Sequence, residues 1–238
     1  MRTYTGLQHR LVRFITVIMV AGSCLIAVQA QSPDNDPCTI TDHDLDTASG
    51  NVTKLHDTLM TAMQQAQTLE FSGRYRLLEP VISDIFNTPL ITRTILGRRY
   101  WESLTPQQMQ DFEALFLELS IATYADRFDS FEGESFIELE KKALPARGTC
   151  PPQDGREAPA KRIIVKTELQ RTNDEPVSLE YLQQEIDGKW YIITVIADGV
   201  NDLSLKRGEY TDVIKQRGFD SLMDDLRQKI SDMANPAD

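Results

Sequence analysis

Cysteine and histidine are scarce in this 238-residue sequence, which contains three residues of each. The two histidines after residue 30, His43 and His56, have no metal-ligand spacing to Cys38 or Cys150. Zinc sites need a cluster of such ligands, so the sequence argues against a structural or catalytic metal. No cofactor is expected either, because the glycines stand singly and form no phosphate-binding loop.

The shortage of histidine also bears on catalysis, since a serine nucleophile needs a base within hydrogen-bond reach. Both histidines lie outside the segments that predict a sheet, which leaves serines such as Ser178 inert. Carboxylates are plentiful, but Glu138 and Glu168 alternate with apolar neighbours as outward-facing strand residues do. We therefore expect no enzyme activity and no catalytic residue.

Basic residues are outnumbered, with Lys+Arg 25 against Asp+Glu 36 and a net charge of -11. Removing three arginines of an N-terminal leader leaves 22 basic against 36 acidic residues, a net charge of -14. Such a surface repels nucleic acid, so no nucleic-acid partner is expected. It also repels anionic membranes, and contact with a membrane should run through a docking partner or one defined face.

Long apolar runs are confined to the N-terminus. Three arginines precede an apolar run from Phe14 to Val28, and the small-residue pattern Val28-Gln29-Ala30 follows it. This order is typical of a secretory signal peptide, and the run is shorter than the ~20 residues that a membrane span needs. The sequence predicts a signal peptide at residues 1–30, cleavage after Ala30 and a periplasmic mature protein.

Two alternatives stay open for this leader. It can remain uncleaved as an anchor, or Cys24 can belong to a lipoprotein box, although Ala21 stands where such boxes usually have a branched apolar residue. After cleavage only Cys38 and Cys150 remain. An oxidising compartment allows them to pair, but sequence does not say whether their Cα atoms come within bridging distance.

Residues 31–50 are rich in Ser, Pro, Asn, Asp and Thr, which is the composition of a flexible linker. One domain is expected at residues 51–238, and its length suits a single core. Its first half predicts helices, because apolar residues recur at three- and four-residue steps up to Gly133. Gly73 is expected to separate the first two helices, and Gly97 to end the third.

The best-specified helix start is at Thr105-Pro106, where Gln108 completes a capping box. Four later segments predict strands, since they alternate or run apolar and are rich in β-branched residues: Phe136 to Leu144, Arg162 to Leu169, Val177 to Gln184 and Trp190 to Ala197. Asp187-Gly188 predicts a type I′ hairpin between the last two. Helices return after residue 202, so the fold class is α+β with a four-stranded antiparallel sheet backed by N- and C-terminal helices.

One ordered set of residues extends through the domain, from about Val52 to the last helix: Gly97, Tyr100-Trp101, Thr105-Pro106, Gln108, Phe112, Phe116, Tyr124-Ala125, Gly133, Tyr181, Gly188, Trp190, Val195, Gly199-Val200, Arg207 and Gly218. Through this set the sequence resembles the MlaC, or toluene-tolerance (Ttg2-type), family of periplasmic phospholipid-binding proteins.

The resemblance implies a curved sheet of the nuclear-transport-factor-like or cystatin-like type, with lipid acyl chains held between sheet and helices. It implies a shuttle for phospholipid between an inner-membrane ABC transporter complex and an outer-membrane lipoprotein complex. Thr194 replaces the family's usual aspartate, and Asn201-Asp202 intervene before Leu203. With the long Pro/Cys loop, these departures are closer to the branch associated with hopanoid biosynthesis, whose cargo is a hopanoid-type lipid.

The hypothesis assigns lipid contact to an aromatic and apolar set on the helices: Phe86, Leu96, Tyr100, Trp101, Phe112, Phe116, Tyr124 and Phe128. The expected sheet wall is Tyr181, Trp190, Ile193 and Val195. Arg98 and Arg99 are expected to meet the lipid headgroup. For each aromatic or apolar residue singly, plain core packing is an equal alternative, and for the two arginines the alternative is a solvated position that complements a helix C-terminus. A scaffold with a solid core and an isomerase-like enzyme on the same fold are the alternative functions.

Overall fold

The computed structural model describes residues 38–146, 148, 150 and 158–235, and the predicted signal peptide lies outside them. Six helices fall within these residues: α1 Asp42–Gln64, α2 Ala66–Ile85, α3 Thr88–Trp101, α4 Pro106–Arg127, α5 Asp202–Arg217 and α6 Phe219–Ala234. The strands are β1 Ser135–Ala143, β2 Arg162–Gln170, β3 Val177–Ile186, β4 Lys189–Ala197 and β5 Val200–Asn201. The predicted α+β class is confirmed.

Side-chain caps explain where the two longest helices begin. Thr105 and Gln108 form the predicted capping box at the start of α4. A second box, formed by Thr41 and Asp44, starts α1 inside the segment expected to be a linker. The linker predicted to reach Gly50 therefore ends before Asp42. The polar composition gave no helical pattern here, because the first two turns of the helix bury one residue, Ala48.

The predicted break at Gly73 was also misplaced. Gly73 lies inside α2, and the chain instead leaves the helical conformation at Gln65, with φ -108, and at Glu70, with φ 53. Gly97 does interrupt α3, with φ 67, although helical residues continue to Trp101. Glycine suits that position because a Cβ is strained at positive φ.

The sheet is antiparallel throughout, in the order β1-β2-β3-β4-β5. Asp187 and Gly188 have φ 52 and 78, which confirms the predicted hairpin between β3 and β4. The short β5 was not predicted, since two residues carry no recognisable period. It pairs with the end of β4 and leads directly into α5.

A β-bulge in β4 decides which side chains face the helices. Leu182 pairs with Thr194, but Gln183 pairs with Ile192, so Ile193 is an extra residue. Because strand side chains alternate, one extra residue changes the parity of the strand. Trp190 and Ile192 therefore share a face with Val195 and Ala197.

Two apolar cores pack around this sheet. The sheet core joins α1 and α2 to the inner sheet face, and its members include Ala48, Val52, Leu55, Leu59, Ile163, Val165, Trp190 and Ile192. The helical core lies among α3, α4, α5 and α6, and it includes Ile95, Leu96, Phe112, Leu115, Tyr210, Leu222 and Leu226. Within the described ranges, no helix combines the length and apolarity required to cross a bilayer.

Candidate functional site

A cavity of about 410 Å³ lies between α4 and the strands β2, β3 and β4. Its lining is mostly apolar. Its volume falls within the roughly 300–1,000 Å³ of small-molecule sites. The helices and sheet that surround it belong to the same domain, so it is an internal gap where the two layers do not meet.

One face of α4 forms the helical wall, with Phe116, Ser120, Thr123, Tyr124 and Arg127 at helical spacing. The two hydroxyls do not make this wall polar. Ser120 Oγ donates to the carbonyl of Phe116 at 2.8 Å, and Thr123 Oγ1 donates to the carbonyl of Leu119 at 2.7 Å. The wall therefore offers apolar surface to a ligand along most of its length.

The sheet wall is formed by residues of β2, β3 and β4: Leu169, Val177, Leu179, Tyr181, Ile193, Thr194, Val195 and Ala197. A backbone hydrogen bond beside the bulge positions a neighbouring aromatic residue. The amide of Asn87 donates to the carbonyl of Ile192 at 3.2 Å, which ties the junction of α2 and α3 to β4. Phe86, directly before this junction, is thereby held at the side of the cavity.

The aromatic rings at the cavity contact one another without closing it. Tyr124 stacks on Phe128 with ring centroids 6.0 Å apart, and Phe86 lies tilted against Tyr124 at 6.1 Å. Burial raises the pKa of Tyr124, and the nearby carboxylate of Asp202 acts in the same direction. The Tyr124 hydroxyl is therefore neutral and available as a hydrogen-bond donor beside the cavity.

Tyr181 closes the inner end of the cavity. Its hydroxyl is hydrogen-bonded to Nε2 of His56 at 3.0 Å, and the imidazole stacks on Phe136 with centroids 3.8 Å apart. Burial lowers the pKa of His56 to about 4 and raises that of Tyr181, so both groups are neutral near pH 7. His56 itself is not among the residues that line the cavity.

Charged side chains gather at the other end of the cavity. Lys206 pairs with Asp202 at 2.6 Å, and Arg171 pairs with Asp174 at 3.3 Å. Arg127 is exposed, and among the described residues no carboxylate lies within 4.0 Å of its guanidinium. The acids Glu134 and Asp202 also belong to the lining, so Arg127 is the charge there that is left to meet an amphipathic anion.

Seven of the twelve residues assigned to lipid contact line this cavity: Phe86, Phe116, Tyr124, Phe128, Tyr181, Ile193 and Val195. The other five lie elsewhere. Leu96 and Phe112 are buried in the helical core, and Tyr100 and Trp101 pack against it. Trp190 is buried in the sheet core, where its Nε1 donates to Asp44 at 3.1 Å.

The two arginines assigned to the headgroup are also away from this cavity. Arg98 and Arg99 line a separate pocket of about 310 Å³ beside the end of α3. Arg98 pairs there with Glu102 at 2.8 Å. The cations at the cavity mouth, Arg127 and Lys206, were not singled out from the sequence. A signal for Arg127 was present, since it follows Thr123 and Tyr124 at helical spacing on the same face.

Two other expectations concerned cysteines and metals. Cys38 and Cys150 are joined by a disulfide in the structure, with Cα atoms 6.1 Å apart. This bond links Cys38, four residues before the start of α1, to the long loop between β1 and β2. Among the described residues, no group of three or more histidine, cysteine, aspartate or glutamate side chains is arranged to hold a metal ion.

Comparison with known proteins agrees with this architecture. A relative, the toluene tolerance protein ttg2D of Pseudomonas putida, is 24% identical over 207 residues, which cover 86% of this chain and 83% of the relative. A solved structure of the phospholipid-binding protein from Ralstonia solanacearum, in complex with a phospholipid, matches with a TM-score of 0.61 and 21% identity. It covers 79% of this chain and 99% of that one, and it confirms the fold. The sequence pattern of the MlaC protein family matches residues 53–228, which is most of the chain, and the protein therefore belongs to the MlaC family.

Proposed function

We propose that this protein is a periplasmic carrier of phospholipid or of a hopanoid-type lipid. The observation that carries the proposal is the apolar cavity of about 410 Å³ between α4 and the sheet. The phospholipid-binding protein from Ralstonia solanacearum, which has a similar fold, holds a phospholipid, and this supports the same class of ligand here. The carrier binds the acyl chains of the lipid and performs no chemistry on them.

The energetics favour acyl chains as the occupant. Each CH₂ group removed from water contributes about 0.8 kcal/mol, so about ten such groups contribute roughly 8 kcal/mol. That gain corresponds to a Kd of about 1 μM before the cost of ordering the chain. The side-chain hydroxyls of Ser120 and Thr123 are satisfied by the backbone of α4 and do not select a more polar ligand.

The headgroup end of the lipid belongs at the mouth of the cavity. Arg127 is the best candidate to meet a phosphate, because its guanidinium has no carboxylate partner among the described residues. Lys206 is held by Asp202 and contributes a weaker local charge. In this assignment Arg127 and Lys206 replace Arg98 and Arg99 as the residues nearest the headgroup.

The proposed cellular role is a shuttle between an inner-membrane ABC transporter complex and an outer-membrane lipoprotein complex. The N-terminal leader predicts export, and the disulfide between Cys38 and Cys150 is the kind of bond that persists in an oxidising compartment. The departures at Thr194 and Asn201-Asp202 favour the hopanoid-associated branch. In the structure Thr194 donates to the side chain of Asn201 at 3.3 Å, so two of the residues that differ from the family pattern are in direct contact.

An isomerase-like enzyme is the second candidate, since His56 and Tyr181 form a hydrogen-bonded pair beside the cavity. The geometry disfavours it. Only Tyr181 of the pair lines the cavity, and the histidine lies behind its ring against Phe136. A base that does not reach the ligand space has no proton to remove from a substrate.

Native mass spectrometry of protein purified from the periplasm of its own host tests the proposal. We expect a bound species with the mass of a phospholipid or hopanoid. The variant Ala197→Trp places an indole in the cavity, and it should lower the bound-lipid fraction at least about fivefold because the chains lose their space.

Ile196→Trp is the matched control, since the neighbouring residue points to the opposite face of β4. It should retain the lipid of the wild-type protein. A wild-type protein that carries no lipid, with an interior that excludes added phospholipid, would instead indicate the solid scaffold. Turnover of a bound molecule into a new product would indicate the enzyme.

A further inference from the structure

A second pocket of about 310 Å³ lies between the end of α3 and the middle of α5, apart from the apolar cavity. Its lining is mainly charged, whereas the lining of the apolar cavity is mainly hydrophobic. Four of its lining residues are cations, Arg98, Arg99, Arg207 and Lys215, and one, Asp212, is an acid. This concentration of positive charge occurs in a chain whose net charge is -11.

Most of this positive charge is not neutralised by the protein. Arg98 pairs with Glu102 at 2.8 Å. Among the described residues, no carboxylate lies within 4.0 Å of the charged groups of Arg99, Arg207 or Lys215. All three side chains are on exposed residues, so an anion from solution has access to them. Like charges held together repel, and a bound anion would relieve that repulsion.

Two features hold the cations in place. Gly97 has φ 67, and a Cβ at this residue would lie only 2.9 Å from Nη2 of Arg207. The absence of a side chain therefore lets the Arg207 guanidinium lie directly against the backbone of α3. The guanidinium of Arg99 is positioned over the ring of Tyr100, 5.6 Å from its centroid.

The α5 wall of the pocket is regular. Arg207, Thr211 and Lys215 follow one another at four-residue steps, so they occupy one face of the helix with a rise of about 6 Å between neighbours. The arginines of α3 face them from the opposite side. Thr211 Oγ1 donates to the carbonyl of Arg207 at 2.6 Å, so the charged groups are the donors left for a ligand. Cations that approach from two directions suit a compact oxyanion with several acceptor oxygens better than a single flat carboxylate.

We propose that this pocket binds a phosphate-type oxyanion, supplied either by the headgroup of a lipid in a membrane or by a soluble phosphate. The site does not depend on whether the apolar cavity carries lipid, because the two pockets share no lining residue. It gives an acidic protein one defined face with affinity for phosphate.

The test uses the full mature chain with two sets of probes. Isothermal titration with inorganic phosphate and pyrophosphate measures the soluble form. Flotation with phosphatidylglycerol vesicles, compared with phosphatidylcholine vesicles, measures the membrane-bound form. We expect the wild-type protein to bind at least one of these anionic probes, and the double variant Arg99→Gln with Lys215→Gln to bind it at least about tenfold more weakly.

The matched control is the double variant Arg76→Gln with Arg93→Gln, which removes the same charge from exposed positions outside both pockets. It should bind like the wild-type protein, and thermal unfolding confirms that both double variants are folded. Binding of phosphate or pyrophosphate alone identifies a soluble ligand, and binding of vesicles alone identifies a headgroup. Equal losses in the two double variants, or a wild-type protein that binds no probe, would overturn the proposal.

Discussion

The inner face of the sheet has two halves that differ in what covers them. In the solid half, Ile163, Trp190 and Ile192 pack directly against α1 and are almost fully buried. In the open half, Leu169, Val195 and Ala197 face α4 across the apolar cavity. Both halves use similar apolar side chains, so hydrophobicity alone does not decide whether helix and sheet meet.

Hydrogen bonds between helix and sheet distinguish the solid half from the open half. In the solid half, Gln183 Nε2 donates to the carbonyl of Ala48 at 2.7 Å, and Asn51 donates to the carbonyl of Trp190 at 2.8 Å. Each bond fixes α1 at contact distance from a strand. Among the described residues no side-chain hydrogen bond joins α4 to the open half, and the hydroxyls of Ser120 and Thr123 donate to the backbone of α4 itself. The cavity therefore persists where no such hydrogen bond holds the helix against the sheet.

The largest expected effect comes from truncating the solid half at Trp190. Trp190→Ala should lower the free energy of unfolding by about 3–5 kcal/mol, because the ring is buried and its N–H bond to Asp44 is lost. Urea denaturation measures the change. Tyr191→Ala, which truncates an aromatic ring on the opposite face, is the control and should cost clearly less. If Trp190→Ala lost bound lipid but kept its stability, the result would instead support a direct contact between Trp190 and the lipid.

The disulfide should come next. Replacing Cys38 and Cys150 together by serine removes a cross-link between residues 112 positions apart, next to the start of α1. We expect a loss of about 2–4 kcal/mol of unfolding free energy, because the unfolded chain regains the conformational entropy that the cross-link removes. Denaturation of the wild-type protein in reducing buffer should give a similar loss. An unchanged midpoint in both experiments would show that the bond does not stabilise the solid half.

A pH-dependent effect is expected at His56, on the boundary between the halves. Burial lowers its pKa to about 4 in the folded protein, below the 6.5 of the free side chain. The unfolded chain therefore binds a proton between these values and the folded chain does not, so stability falls as the pH drops below 6.5. The loss attributable to His56 should reach about 2 kcal/mol at pH 5.

Comparing the pH dependence of unfolding in the wild-type protein and in His56→Gln isolates this contribution from that of the carboxylates. The variant retains a group able to bond to Tyr181 but has no proton to gain. Its stability should decline less between pH 6.5 and 5, whereas His43→Gln, at an exposed position of the same helix, controls for loss of an imidazole. Parallel curves for His56→Gln and wild type would contradict the burial argument.

The smallest effect is expected in the open half. Val195→Ala removes methyl groups that already border empty space, so it should cost under about 1 kcal/mol. Ile192→Ala, three residues earlier in the same strand, should cost about 2–5 kcal/mol because it leaves a void in packed surroundings. Unfolding free energies of the two variants test the distinction directly. Equal costs would mean that the cavity wall is packed as tightly as the core.

The predictable features of the fold were local ones. The Thr105 capping box and the Asp187-Gly188 turn depend on residues within a few positions of one another, and both were identified from the sequence. The start of α1 was missed because polar residues masked its first turns. The branch of the family and the cellular partners stay predictions.

The cavity was harder to predict because periodicity reports only which side of an element is apolar. Phe112 and Phe116 lie one turn apart on α4 and both belong to the helical core, yet of the two Phe116 alone also borders the cavity. Arg99 and Arg127 are both cations near helix ends, and only tertiary contacts separate the pocket of one from that of the other. The spacing between packed layers is a property of the whole domain.

The extra residue at Ile193 lets β4 absorb a change in chain length at the cavity wall. Deleting Ile193 would make Ile192 and Thr194 neighbours opposite Gln183 and Leu182, so the bulge would be lost while Val195 and Ala197 kept their inward direction. The cavity would lose one lining side chain and gain volume. Homologues that are one residue shorter here would thus keep the same inner sheet face around a wider space for their cargo.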